Sequence, residues 1–441
     1  MEGLHNKVKG VICIMLDRTK KIMLMILVLL LPYHFQVISV LLSEFKGIKL
    51  WKEIFISILL LITLIQILKG HVKYKITMFE KLTAAFIILI VVYICFSGSP
   101  YRALYISRIY FIPMLIIPAV KTTDITKDDI KRLLNITMGS TILICIWGQL
   151  QAYILKDGFL INLGYGTQRV NHGLRLKNEF YVFGGGYMQR VTGTFAAPNT
   201  FGMYLAFLIV LLVFISKVVR LNEKYKNFTL LICGITLIMT FSRTSWVACI
   251  AGLAIYYYKN IKNLDKTKAL QWVGIITGAG VLVMLADYFA IHTGITGALV
   301  SLIRNTLTGQ DSSMTGHLIS WKESVVKVIK HPFGTGIGHN GPRALLFYKY
   351  PNLTESSYFL IMYETGIFGA VLYFSTFVRV ALDNLNIYRE TRKKEVLCIF
   401  AIIIMLGICY LTLPYVQDFE LLVLFYLIVS NQYNDKLMYS V

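Results

Sequence analysis

Charge is what this 441-residue chain has least of. Asp, Glu, Lys and Arg make up 15% of it, where a soluble globular domain carries about 25%. That deficit argues against an ordinary water-soluble fold. The seven cysteines (Cys13, Cys95, Cys145, Cys233, Cys249, Cys398 and Cys409) form no Cys-x-x-Cys pair, and all lie in or beside apolar stretches. This argues against a disulfide framework or thiolate metal site, and the thiols read as small apolar side chains. Internal repeats are lacking, which argues against the paired halves of an inverted-repeat transporter. No cleavable-signal pattern precedes the first apolar run, so that run is expected to act as its own targeting signal.

Apolar runs are abundant instead. Apolar residues make up 56% of the chain, and the mean hydropathy is +0.64. Runs near the bilayer-spanning length of about 20 residues occur at 22–42, 54–68, 82–96, 103–120, 133–155, 199–216, 228–241, 244–258, 270–290, 358–378, 396–413 and 419–430. The seventh, eighth and twelfth are short, which implies tilt or partial spanning. Unpaired backbone cannot sit in lipid, so the runs are helices. The expected fold is an all-α integral membrane protein of about twelve transmembrane helices. A tail (1–21) leads into five helices (22–155), an outer loop (156–198), four helices (199–290), a second outer loop (291–357), three helices (358–430) and a tail (431–441).

The net charge is +21. With the N-terminus in the cytoplasm, the short basic segments at 69–81, 121–132, 217–226, 259–268 and 379–394 all fall inside, and so do both termini. Spread over many loops rather than gathered on one module, this charge suits anionic lipid and not nucleic acid.

The two outer loops carry their own signals. The first is rich in glycine and aromatics, with short strands expected around 179–183 and 187–192. In the second, HLISWKESVVKVIK (317–330) puts Trp321, Val325, Val328 and Ile329 on one helical face and Lys322, Glu323, Lys327 and Lys330 on the other. That is an amphipathic helix lying on the membrane surface or capping the bundle. It ends at HPFGTGIGHNGPR (331–343), where Pro332 and the glycines break it.

Three patterns could carry chemistry. In RVTGTFAAPNTFG (190–202), Arg190 ends the first outer loop and Pro198 suits a first helical turn; an ordinary helix start with a snorkelling arginine explains the same residues. In TFSRTSW (240–246), Arg243 sits in the middle of a 228–258 apolar stretch. Two short helices meeting there would set Arg243 at a helix N-terminus, where an anion is favoured. In PNLTESSYFLIMYETGIFGAVLYF (351–374), Glu355 lies where the loop re-enters the membrane, and a carboxylate stabilising a helix N-terminus is the bland alternative. Glu364 is expected to pair with a basic residue inside the bundle. Arg108, inside the fourth run, is expected to pair with Asp287 or Glu364 or to face a cavity. Several arginines and a carboxylate at one membrane face suit a diphosphate, because guanidinium forks bind phosphate oxygens and preorganised cations stabilise a departing diphosphate. A carboxylate can take the proton of an attacking hydroxyl.

The ordered set RVTGTFAAPN, SR, HLISW, PFGTGIG, ESSYF and ETGIFG resembles the membrane O-antigen polymerase and O-antigen ligase superfamily, over about 190–370. Two positions depart from that pattern: His317 stands where the family has arginine before the tryptophan, and Glu355 where ligases have histidine. The second departure favours a polymerase. The resemblance implies a C-type membrane glycosyltransferase fold in the bacterial cytoplasmic membrane, with its active site on the outer face. The donor would be a glycan on polyprenyl diphosphate and the acceptor a lipid-linked repeat unit. No cofactor or metal is implied, in keeping with outer loops that hold no Asp-x-Asp and no His or Cys cluster. Arg190, Arg243, His317 and Arg304 would bind the diphosphate, and Glu355 would act as base. A flippase and a chain-length regulator are the partners expected. Alternatives are a ligase acting on lipid A core and a lipid-linked oligosaccharide flippase.

Overall fold

The computed structural model describes residues 2–42, 44–170, 173–182, 188–261, 304, 308, 312–349 and 354–433. Helices dominate them: α1 (Glu2–Leu30), α2 (Trp51–Leu68), α3 (Met78–Cys95), α4 (Pro100–Phe111), α5 (Ile116–Thr122), α6 (Lys127–Gln149), α7 (Lys156–Asn162), α8 (Pro198–Ile215), α9 (Glu223–Met239), α10 (Arg243–Ile261), α11 (Ser312–Lys330), α12 (Ser357–Thr391), α13 (Leu397–Thr412) and α14 (Phe419–Ser430). Eight segments among the described residues are long and apolar enough to cross a membrane. They correspond to α1, α2, α3, α4 with α5, α6 with α7, α8, α12 and α13. The runs at 228–241, 244–258 and 419–430 are the helices α9, α10 and α14, which are not among the eight, and the run at 270–290 lies outside the described residues.

Local chemistry sets the helix ends. Thr77 and Thr126 each accept from the backbone three residues on, and Glu80 and Asp129 reach back to complete capping boxes for α3 and α6. Pro113 tightens the chain into a short 3-10 turn between α4 and α5. Asp418 caps α14 by accepting from the Leu421 N–H.

Outward faces are apolar, as lipid contact requires: Leu61, Ile88, Leu143, Leu231, Ile250 and Val371 are all exposed. Lipid tails are as apolar as leucine, so helix association rests on close packing of small residues. A Cβ on Gly148 would lie 2.7 Å from Val191 and 2.9 Å from the Gly193 backbone, and one on Gly202 would lie 2.9 Å from Ser245 Oγ.

Successive connections fall at opposite ends of the bundle. At one end, Lys20 donates to Thr122 (2.9 Å), Lys21 pairs with Asp129 (2.6 Å) and Lys121 with Glu80 (2.8 Å). At the other, Gln36 N–H donates to Thr194 O (3.2 Å), Tyr415 to Asn199 O (2.8 Å) and Arg343 Nε to Gln417 O (3.1 Å). There too the buried Lys52, in the first turn of α2, donates to Glu420 in the first turn of α14, with His34 3.6 Å from the same carboxylate oxygen.

One expectation for the loops is corrected. The β-hairpin of the first loop is β1 (Thr167–Val170) with β2 (Gly173–Leu176), whereas the described residues of 179–192 form one isolated Tyr181–Gln189 bridge. The amphipathic helix is α11, and its apolar face is divided, Trp321 being partly covered. Val328 and Ser324 are buried, whereas Val325 and Ile329 are exposed with Leu318. The exposed apolar stripe suits a bilayer interface rather than the bundle.

Candidate functional site

The loop-bearing end gathers most of the singled-out residues. Arg190 is half-buried, and its guanidinium joins three chain segments. Nε donates to Thr240 O (2.8 Å), one terminal nitrogen to Glu179 O (2.8 Å) and the other to Asn199 Oδ1 (2.5 Å). Desolvation by the surrounding protein lowers its pKa to about 10, so it stays protonated at neutral pH, and the Arg243 charge pulls in the same direction. That coupling brings Arg190 and Arg243 into one electrostatic neighbourhood.

Arg243 is the first residue of α10. α9 ends at Met239, and Phe241 turns the chain with φ +49°. Ser242 then accepts from the Trp246 N–H at 3.0 Å, opening α10. The N–H groups of a first helical turn point their partial positive charge toward the loops, reinforcing the guanidinium. Asn199 links this turn to the 413–418 connection, because its carbonyl accepts from Tyr415 OH (2.8 Å) and Ser245 Oγ (3.5 Å). Thr200 adds a bond to Asp418 (3.0 Å).

His317 and Glu355, the two departures from the family pattern, touch. His317 Nδ1 lies 2.5 Å from Glu355 Oε2, with the imidazole the more enclosed of the two side chains (22% against 48% exposed). Arg304 is exposed, and most of its chain neighbours lie outside the described residues.

One pairing expected of the in-membrane groups, that of Glu364 with a basic residue, is corrected, and Arg108 faces a groove. Arg108 pairs with Glu53 at 3.3 Å and lies over the Tyr105 ring at 4.3 Å; Asp287 lies outside the described residues. The two side chains line a groove between α2 and α4. Glu364, fully buried, meets neutral donors rather than a cation: Tyr110 OH at 2.6 Å, Gly338 N–H at 2.8 Å and Asn340 N–H at 3.4 Å.

Glu364 thereby fastens the glycine-rich loop to a break in α12. Gly366 has φ +71° and interrupts the helix. The loop supplies what the break leaves unpaired: Thr335 N–H to Tyr363 O (2.8 Å), Gly336 N–H to Glu364 O (3.2 Å) and Ile367 N–H to Pro332 O (2.9 Å). A Cβ on Gly334 would lie 2.6 Å from Gly366 N, and one on Gly366 2.6 Å from Phe333 C. PFGTGIG and ETGIFG are thus two halves of one clasp.

Sequence reasoning missed a further group at this end. Arg102 donates to Tyr348 OH and to His339 Nε2 (2.6 Å), and Tyr348 OH lies 3.0 Å from His339 Nδ1. Burial and the Arg102 charge lower the His339 pKa. The available signals were one arginine at the edge of an apolar run and a histidine inside a loop read only as a helix breaker. Among the described residues, no three His, Cys, Asp or Glu side chains gather to hold a metal ion.

Residues 228–374 match the family model described as O-Antigen ligase. An O-antigen polymerase of Salmonella muenchen is 26% identical over 225 residues, which cover 50% of this chain and 52% of that protein. These matches support the O-antigen polymerase and ligase superfamily. The chain matches about half the length of the curated relative. The O-antigen ligase match takes in Arg243, His317, Glu355 and the whole clasp, from Pro332 to Gly366; Arg190 lies before it and is tied to it through Thr240.

Proposed function

We propose that this protein is a polysaccharide polymerase of the bacterial cytoplasmic membrane. It moves a growing glycan from polyprenyl diphosphate to the terminal hydroxyl of a second lipid-linked repeat unit at the outer face. The observation that carries this reading is the joining of Arg190 to the turn that presents Arg243, at the bundle end that also holds the His317–Glu355 pair. The basic segments among the described residues gather at the opposite end, which fits a cytoplasmic placement of that end and of both termini.

In the reaction, the acceptor oxygen bonds to the anomeric carbon as the bond from that carbon to the diphosphate oxygen breaks. Arg243, the α10 N-terminus and Arg190 stabilise the charge that builds on the departing diphosphate, with Arg304 as an outlying cation. The hydroxyl proton passes to the Glu355–His317 pair. Diphosphate is already a good leaving group and needs no acid.

The O-antigen ligase match supports a second reading, transfer to a lipid A core acceptor by the same chemistry. Reconstitution separates the two. Purified protein given only the host's polyprenyl-diphosphate repeat unit is expected to yield a ladder of multiples on a gel, and Arg243→Ala to yield none while inserting normally. A product only when lipid A core is added would replace polymerase by ligase. Movement of the substrate across a liposome bilayer without product would support the flippase alternative.

A further inference from the structure

The Arg102–His339–Tyr348 group has an unused set of donors. Arginine cannot accept a hydrogen bond, so His339 Nε2 accepts from Arg102 and carries no proton. The ring proton is therefore on Nδ1 and is given to Tyr348 OH. That oxygen also accepts from Arg102, so both its lone pairs are taken and its own O–H proton is left to give. Arg102 Nε is buried and has no hydrogen-bond partner. Among the described residues no carboxylate pairs with Arg102; the carboxylate that feels its charge is Glu364, whose oxygens already accept from Tyr110, Gly338 and Asn340. A cation with neutral partners, plus two unspent N–H and O–H donors, is the chemistry of an anion receptor.

An apolar groove adjoins it. Phe347, next to Tyr348 in the chain, meets the Tyr101 and Tyr105 rings edge-on at 6.3 and 5.7 Å. Those two tyrosines line the α2–α4 groove with Ile54, Ser57, Leu61 and Arg108, and the groove has a volume of about 550 Å³. Tyr101 and Leu61 are exposed, so the groove opens toward the lipid side of the bundle.

We propose that Arg102, His339 and Tyr348 bind the diphosphate of a second isoprenoid-linked molecule, whose tail lies in the groove between α2 and α4. This rests on the polymerase reading, in which donor and acceptor are both lipid diphosphates. Arg190 and Arg243 hold one, and the Arg102 group holds the other.

The test is a binding stoichiometry with geranylgeranyl diphosphate on the full-length protein in phosphatidylcholine nanodiscs. Wild type is expected to bind two equivalents. Arg102→Gln and Tyr348→Phe are each expected to weaken one of them by about tenfold or more, the loss of one charge-assisted bond. Arg243→Ala is expected to weaken the other. Tyr348→Phe keeps the ring in place and decides the matter if Arg102→Gln fails to fold. Ser57→Trp, which fills the groove, is expected to weaken geranylgeranyl diphosphate and leave inorganic diphosphate unchanged. Equal binding of both probes in Ser57→Trp and wild type would overturn the tail assignment and leave a site for free anions. One equivalent, sensitive to Arg243→Ala but not to Arg102→Gln or Tyr348→Phe, would overturn the second site and leave the polymerase reading standing. No binding by wild type would overturn both.

Discussion

Arg190 shows how one side chain can serve both architecture and charge. Its fork bonds two backbone carbonyls and an amide in three directions, which a lysine ammonium on a flexible stem cannot reproduce. Arg190→Lys is expected to lower stability by about 1–3 kcal/mol, read as an earlier thermal midpoint in detergent, and to lower polymer yield with it. Glu355→Gln keeps size but loses the charge facing His317; polymer formation is expected to slow by about a hundredfold or more, with donor affinity unchanged. An undiminished rate would remove the base role. His339 gives a pH signature. Its native pKa is lowered, so its contribution is present above the ordinary histidine value of about 6.5 and is lost as pH falls through the lowered native value. Acidification below about pH 6 is expected to lower the thermal midpoint of wild type more than that of His339→Asn. Arg243 was legible in the sequence because the polar Ser-Arg step interrupts an apolar run. Arg108 with Glu53, and Arg102 with His339, were not, because a contact across 55 or 237 positions leaves no mark on local pattern.

At the scale of elements, the clasp between the glycine-rich loop and the break in α12 is the feature most open to test. Gly366 needs positive φ and has backbone 2.6 Å from where a Cβ would stand. The left-handed conformation alone costs an L-residue roughly 1–2 kcal/mol, and the collision adds to it. Gly366→Ala is expected to lower the thermal midpoint clearly. Gly234→Ala, in α9 with nothing within 4 Å of its Cβ position, is expected to leave it unchanged or raise it. Equal midpoints in the two variants would sink the account of the clasp. The helices themselves were legible from run length, since lipid leaves the backbone few options. The clasp was legible only as two separate glycine motifs, and their joining is a tertiary fact. The orientation of α11 also escaped periodicity, which finds an apolar face but not whether protein or lipid covers it.

For the whole molecule, the alternation of connections between a basic end and a loop-bearing end carries an orientation. In a cysteine-free background, a membrane-impermeant maleimide applied to intact cells is expected to label Lys177→Cys in the exposed part of the first loop and not Lys393→Cys at the opposite end. The reverse pattern would invert the topology and with it the proposed substrate. Lys52 and Glu420 give the molecule another property, one in time rather than space. The two are 368 positions apart, and ribosomes add about 5–20 residues per second. Lys52 therefore enters the membrane roughly 20 to 70 s before its counter-ion is made. Through that interval the nascent chain holds the Lys52 ammonium at a helix end without Glu420, and α14 is the helix that neutralises α2. Chains cut short before Glu420 carry a built-in mark of incompleteness, which a membrane quality-control protease could read.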